Sequence, residues 1–116
     1  MSLNRLSDKL VFNILAGINV GYLEIINYQG EVFKFGNPQD NLKAKLKIKK
    51  PNFSFNLIKG GSIGFAESYM RGEFETDNLS NLIEITARNI KIIYKFSGLL
   101  DFPIINFLKG IFIKNT

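Results

Sequence analysis

Hydrophobic residues recur every three or four positions near the start of the chain. Those on one side of the predicted helix are Leu3, Leu6, Leu10, Ile14 and Leu15. This spacing predicts an amphipathic α-helix over residues 4–16. Gly17 follows directly and marks the end of that helix.

A pattern of period two comes next. Short runs of β-branched and aromatic residues flank Gln29-Gly30, which is typical of a β-hairpin with strands near 21–28 and 31–35. A third strand is predicted over 42–49, where apolar residues alternate strictly with lysines. These lysines are Lys43, Lys45, Lys47 and Lys49, which we call the lysine row. The alternation gives this strand one buried face and one solvated face.

Two short helices that contain or end at glycine residues are predicted next. The first is predicted near 52–59 and is ended by the Gly60-Gly61 pair. The second is predicted near 63–70, where Gly64 allows the helix to approach a neighbouring element closely. A strand near 72–76 follows.

The last predicted strand has one residue directed to the core and two directed to solvent. Phe74 is expected to face inward, with Glu73 and Glu75 facing outward as a solvated pair. After it, helical spacing of apolar residues predicts one long helix over 78–96, with Asp77 as its N-cap.

Residues 99–116 form a strongly apolar tail interrupted by polar residues, so we assign residues 1–98 to the domain and treat 99–116 separately. Pro103 is positioned to open one more short helix in the tail. No stretch reaches the roughly 20 apolar residues of a transmembrane helix. The first seventeen residues also lack the features of a signal peptide. We therefore expect a cytoplasmic protein.

The composition excludes several kinds of chemistry. The chain of 116 residues contains no Cys and no His. Thiolate and imidazole metal ligands, the Ser-His-Asp triad and an imidazole base near neutrality are therefore absent. We predict no catalytic residue and no metal site in this single domain.

The net charge of +5 suggests an anionic partner, although it also follows from a composition rich in Ile, Asn and Lys. Most of the basic residues are lysines, which act as point charges and not as the bidentate forks that read guanine, so nucleic acid is not expected. The lysine row, with Lys50 beside it, is a candidate contact for anionic lipid headgroups. Such a contact would be weak and salt-sensitive. The alternatives are an ordinary solvated strand face and an edge strand that its lysines protect against aggregation.

The stretch GGSIGFAESYMRGEFETDNL, residues 60–79, resembles a signature in the N-terminal domain of cyclopropane-fatty-acyl-phospholipid synthases. The matching residues are Gly61, Gly64, Glu67, Ser68, Tyr69, Met70, Gly72 and Asp77. The order of predicted elements around the signature agrees over nearly the whole chain.

The resemblance implies a sterol-carrier-like domain with a mainly antiparallel sheet covered by helices. In that family, the domain precedes an S-adenosylmethionine-dependent catalytic domain that methylenates acyl chains of membrane phospholipids. The catalytic motifs of the family do not occur in this sequence, and the tail 99–116 corresponds to the linker toward that domain. We therefore expect the chain alone to bind no S-adenosylmethionine and to be inactive.

Two functions follow from the resemblance. The first is a lipid-associating domain that contacts a phospholipid or fatty acyl chain at an anionic membrane surface, peripheral to the inner face of the membrane. A curved sheet with helices over one face can leave an apolar groove for that chain, and the eleven Phe residues could line it. The domain would serve a catalytic domain in cis or in trans. The second is a structural module that docks on the catalytic domain or forms a homodimer through the tail and the helix around Glu67 to Met70, without lipid contact. In both, Glu67 is expected to be structural, bonded to backbone N–H groups or to Arg71.

Overall fold

The computed structural model of the chain describes residues 2–97. Its elements are α1 (Leu3–Leu15), β1 (Tyr22–Ile26), β2 (Val32–Gly36), β3 (Lys43–Ile48), α2 (Phe53–Met70), β4 (Phe74–Thr76), α3 (Leu79–Arg88) and α4 (Ile90–Ser97). The described part is an α+β domain, and the predicted positions of all four strands are confirmed within a few residues.

The four strands form one sheet in the order β2-β1-β3-β4. The β1–β2 hairpin and the β3–β4 pair are antiparallel, but β1 and β3 run parallel, with Leu23 beside Ala44 and Ile25 beside Leu46. The sheet is therefore mixed, and the expectation of a mainly antiparallel sheet was wrong in its central pairing.

Asp40 supplies a physical reason for the parallel pairing. Its carboxylate accepts hydrogen bonds from the backbone N–H of Gly21 at 2.8 Å and of Leu42 at 2.9 Å. These two residues immediately precede β1 and β3, and parallel strands begin at the same edge of a sheet. The N–H groups, Leu42 first, hold the pKa of Asp40 below its usual value.

The two faces of the sheet differ sharply. Side chains of the inner face are buried beneath the helices: Leu23, Ile25, Ala44, Leu46, Ile48 and Phe74. The outer face carries exposed polar and charged residues, including the lysine row. The predicted buried and solvated faces of β3 are thus confirmed.

Two helical regions of the chain are interrupted. Gly61 interrupts α2 with φ 56° and ψ −134°, which divides it into segments 53–60 and 62–70, in agreement with the two predicted short helices. The single long helix predicted over 78–96 was wrong, because it is broken at Asn89 into α3 and α4. Its N-cap is Asn78, whose side chain accepts from the N–H of Asn81, and not Asp77.

Asn89 causes the break by bonding to a distant loop. Its Oδ1 accepts hydrogen bonds from the N–H of Asn19 at 2.9 Å and of Val20 at 3.2 Å. Its Nδ2 donates to the carbonyl of Val20 at 2.8 Å and of Ile85 at 2.7 Å. The fully buried amide therefore ties the end of α3 to the loop before β1.

Among the helices of residues 3–97, none combines the length and the apolar character that crossing a membrane requires. The predicted tail 99–116, with its helix at Pro103, lies outside the described residues.

Candidate functional site

An apolar cavity of about 450 Å³ lies between the inner face of the sheet and the helices. Its floor is formed by Leu23, Ile25, Leu46 and Ile48, and each of the four helices contributes to its walls. The wall residues include Phe12 and Leu15 of α1, Phe53, Leu57 and Phe65 of α2, Leu82 and Thr86 of α3, and Ile90 of α4. No Asp, Glu, Lys or Arg is among the described residues that line it.

The cavity opens beside the second segment of α2. Three residues of this segment both line the cavity and are exposed: Ala66, Tyr69 and Met70, which we call the cavity rim. Met70 is 76% exposed, which is high for so large an apolar side chain. Residues 66–70, within the stretch 60–79, therefore border the opening of the cavity.

Two glycines of the signature shape the rim. Gly61 allows α2 to turn back on itself, because its positive φ is disfavoured for residues with a side chain. Gly64 then packs directly on the first segment: a Cβ there would lie 2.4 Å from the carbonyl oxygen of Asn56. The close approach predicted for Gly64 is confirmed. Gly72, at φ 70°, follows the helix end.

Phe74 anchors both segments of α2 to the sheet. Its ring lies 5.1 Å from Phe53 of the first segment, and 4.9 Å from Phe65 and 5.6 Å from Tyr69 of the second. These centroid distances are within the range of favourable aromatic pairs. Phe74 is directed to the core as predicted, and it fixes the position of Tyr69 on the rim.

Ser54 and Ser68 are completely buried where the two segments pack together. Their hydroxyl groups make no full hydrogen bond within the described residues. Small side chains at these positions allow the close helix packing that Gly64 also requires. Ser68, a residue of the signature, is therefore a packing residue of α2.

A cluster of charges lies next to the rim. The Nε of Arg71 donates to Oε2 of Glu73 at 3.0 Å, and its Nη1 donates to Oε2 of Glu67 at 3.3 Å. Asn56 Nδ2 also donates to Glu73, at 3.2 Å. The Arg71 guanidinium holds the pKa of Glu73 below its usual value. The neighbouring Ser68 hydroxyl, although outside the geometry of a full hydrogen bond, and the Asn56 amide lower the pKa further.

The two glutamates of this cluster differ in their exposure to solvent. Glu67 makes the predicted contact with Arg71, in an exposed pair of the kind that contributes little to stability. Glu73 was predicted to face solvent, but its side chain is only 12% exposed because Arg71 and Asn56 cover it. That prediction was wrong, and the signal that could have corrected it is the basic residue two positions before Glu73.

The lysine row lies on the outer face of the sheet, on the side opposite to the cavity. Lys49 forms an ion pair with Glu75, Lys43 lies over the ring of Tyr22, and Lys50 is exposed just beyond the strand. Because β3 is an inner strand between β1 and β4, the edge-strand interpretation of the row was wrong. The structure does not bring the row and the signature together.

Sequence reasoning allowed for an apolar groove but did not identify the residues that line the cavity, since they are drawn from all four helices and two strands. Hydrophobic spacing identified most lining residues as core residues, and no local signal separates a filled core from a hollow one. Within the described part, no group of His, Cys, Asp and Glu side chains is arranged to hold a metal ion.

No protein-family model matches the chain, and comparison with curated proteins and with solved structures likewise found no match.

Proposed function

We propose that this chain is a lipid-associating domain that holds one acyl chain in its apolar cavity. We further propose that it serves an S-adenosylmethionine-dependent catalytic domain of the cyclopropane-fatty-acyl-phospholipid synthase kind, in cis or in trans. The sterol-carrier-like fold belongs to the same proposal. The sequence signature supports the family, and the cavity at that signature supports the lipid.

The cavity is the observation that carries the proposal. Its volume of about 450 Å³ falls within the range of roughly 300–1,000 Å³ that is usual for small-molecule sites. Its described lining is hydrophobic apart from Ser62, Thr86 and the Tyr69 hydroxyl, and Thr86 already donates to the carbonyl of Leu82. Such a lining suits a hydrocarbon chain.

The charges beside the rim favour recognition of the lipid's acyl chain over recognition of its headgroup. Arg71 is already paired with two carboxylates, Glu67 and Glu73. A third carboxylate or a phosphate would meet net negative charge there and would gain little from Arg71. Affinity should therefore increase with the length of the acyl chain and change little with the headgroup.

Displacement of a fluorescent fatty acid tests this function. Saturated fatty acids of increasing length should displace the probe with increasing affinity until the cavity is filled. Ala66→Trp, which narrows the rim, should weaken binding roughly tenfold, equivalent to about 1.4 kcal/mol. Glu67→Trp is the matched control, because Glu67 is the next residue of the same helix and does not line the cavity. Equal binding by both variants, or no displacement by any fatty acid, would exclude the function.

The exposed rim also favours a second candidate, a module that docks on a catalytic domain or dimerises without binding lipid. Met70 and Tyr69 present apolar surface to solvent, as interface residues do. Sedimentation of Met70→Glu distinguishes the two candidates. If the domain is a docking module, this substitution should abolish the dimer or the complex that the parent chain forms. The parent chain should then also fail to bind fatty acid.

A further inference from the structure

Exposed apolar side chains are concentrated on the helical side of the domain. Of the large hydrophobic side chains that are exposed in the described part, those on helices are Leu3, Leu6, Leu10, Ile63, Tyr69 and Met70. The others, Tyr28 and Val32, lie at the tip of the β1–β2 hairpin. The outer face of the sheet is instead dominated by charged residues. A partner with an apolar surface would therefore meet the helices.

Within residues 2–97, the clearest unpartnered face belongs to α1. Leu3, Leu6 and Leu10, which we call the leucine stripe, lie on one side of this helix and are between 40% and 59% exposed. The opposite face of α1 is packed, since Leu15 packs against the core and Phe12 contacts the rings of Phe33 and Phe35. The stripe is thus additional to the face that stabilises the fold.

The charges on α1 indicate the chemistry of the partner. Arg5 and Lys9 are one helical turn apart and exposed. Lys9 is three residues after Leu6 and borders the leucine stripe, and Arg5 lies beside Lys9, further round the helix. Asp8 projects to the opposite side of the helix. An apolar stripe bordered by cations is the pattern of a helix that lies in a membrane interface, with its long basic side chains reaching the headgroups.

Two copies of the chain would fit this face less well. A stable interface buries roughly 1,600 Å² in total, far more than three half-exposed leucines supply. A symmetric pairing of two copies of α1 would also bring Arg5 and Lys9 near their counterparts, and like charges oppose association. Anionic lipids attract the same residues.

We propose that the domain lies on an anionic bilayer through α1, with the leucine stripe inserted in the interface and Arg5 and Lys9 at the headgroups. The inference rests on the proposed lipid association and names the surface that performs it. Because α1 packs against α2 and also lines the cavity, this orientation directs the helical side to the membrane, whereas contact through the lysine row would turn the cavity away from it.

Site-specific labelling tests the orientation cleanly, since the chain contains no cysteine. Leu6→Cys and Lys45→Cys are each coupled to an environment-sensitive fluorophore, and vesicles of phosphatidylglycerol and phosphatidylcholine are added. We expect a blue shift at position 6 and none at position 45. A blue shift confined to position 45 would overturn the inference. An already blue-shifted label at position 6 that vesicles leave unchanged would also overturn it, because the stripe would then be covered by another part of the chain or by a second copy.

Flotation of unlabelled variants with the same vesicles gives the independent measure. Vesicle binding should weaken at least about tenfold in the triple variant Leu3→Gln, Leu6→Gln and Leu10→Gln. It should change much less when all four lysines of the row are replaced by Gln. In the proposed orientation those charges lie beyond a Debye length of about 8 Å from the membrane. The reverse order would assign the contact to the sheet.

Fatty-acid displacement without vesicles separates this inference from the proposed function. The triple leucine variant should displace the fluorescent fatty acid as well as the parent does. If the parent chain takes up fatty acid but binds no vesicles, the orientation is wrong and the cavity function stands.

Discussion

Gly64 and the carbonyl oxygen of Asn56 approach each other so closely that a Cβ on Gly64 would lie 2.4 Å from that oxygen. This contact joins the two segments of α2 at the bend, and the cavity rim is built on the second segment. Because the obstacle is backbone and not a flexible side chain, the segments would have to separate to admit even a methyl group.

Gly64→Ala should therefore lower the free energy of unfolding by about 1–3 kcal/mol, as overpacking in a close contact does. Gly60→Ala is the control in the same helix, since a Cβ there meets nothing within 4 Å. It should be neutral or stabilising by up to about 1 kcal/mol, because Ala is the better helix former. Urea denaturation of the two variants measures the difference, and equal stabilities would show that the segments are not in close contact.

Asn89→Ala should be among the most destabilising single substitutions in the domain. It removes four hydrogen bonds and leaves the N–H groups of Asn19 and Val20 without their buried acceptor. We expect a loss of about 2–4 kcal/mol in the free energy of unfolding. Asn13→Ala, at an exposed position of α1, should change it by no more than about 0.5 kcal/mol. A small effect at Asn89 would show that its side chain does not tie the end of α3 to the loop before β1.

Glu73 should make stability depend on pH in the acid range. Arg71, and then Ser68 and Asn56, lower its pKa in the folded state below the usual value of 4.5. A carboxylate with a depressed pKa contributes its full stabilisation above pH 4.5 and loses it as the pH falls through the folded-state pKa. Glu73→Gln should thus lower stability at pH 7 and flatten its decline below pH 4.5.

The matched control for this prediction is Glu67→Gln, which alters the exposed partner of the same arginine. Its stability at pH 7 should be close to that of the parent chain. Thermal unfolding recorded from pH 7 to pH 3 tests both variants. A parallel decline in the parent chain and in Glu73→Gln would mean that Arg71 does not hold Glu73 in the folded state.

The chain alone should bind no S-adenosylmethionine, because the glycine-rich cofactor loop and the catalytic motifs of the resembled family do not occur in its sequence. Isothermal titration of the cofactor should give no heat beyond dilution. A saturable signal would contradict the proposal that a separate catalytic domain uses the cofactor.

Local patterns were sufficient to predict most of the elements. Alternation of apolar residues and lysines gave β3 its two faces, and the glycines around residue 61 gave the two segments of α2. In each case the determining residues are neighbours in sequence, so that propensity and packing favour the same structure.

Features set by distant residues could not be predicted in this way. The parallel pairing of β1 and β3 depends on Asp40 bonding to Gly21, and the break at Asn89 depends on a loop 69 and 70 residues earlier. The cavity is likewise a property of how the packed layers fit. An alternation such as that of Leu46 and Ile48 shows which face is buried, but not whether the layer above it fills the space.

We propose that an acyl chain occupies the space between the sheet and the helices, and intermolecular NOEs can locate it there. Protein with labelled methyl groups is mixed with a fatty acid, and contacts from its methylene protons are recorded. We expect NOEs to the lining residues Leu57, Leu82 and Ile90, and none to Ile18 and Ala87, which are buried but do not line the cavity. NOEs restricted to the exposed Leu3 and Leu6, with none to the lining residues, would contradict it.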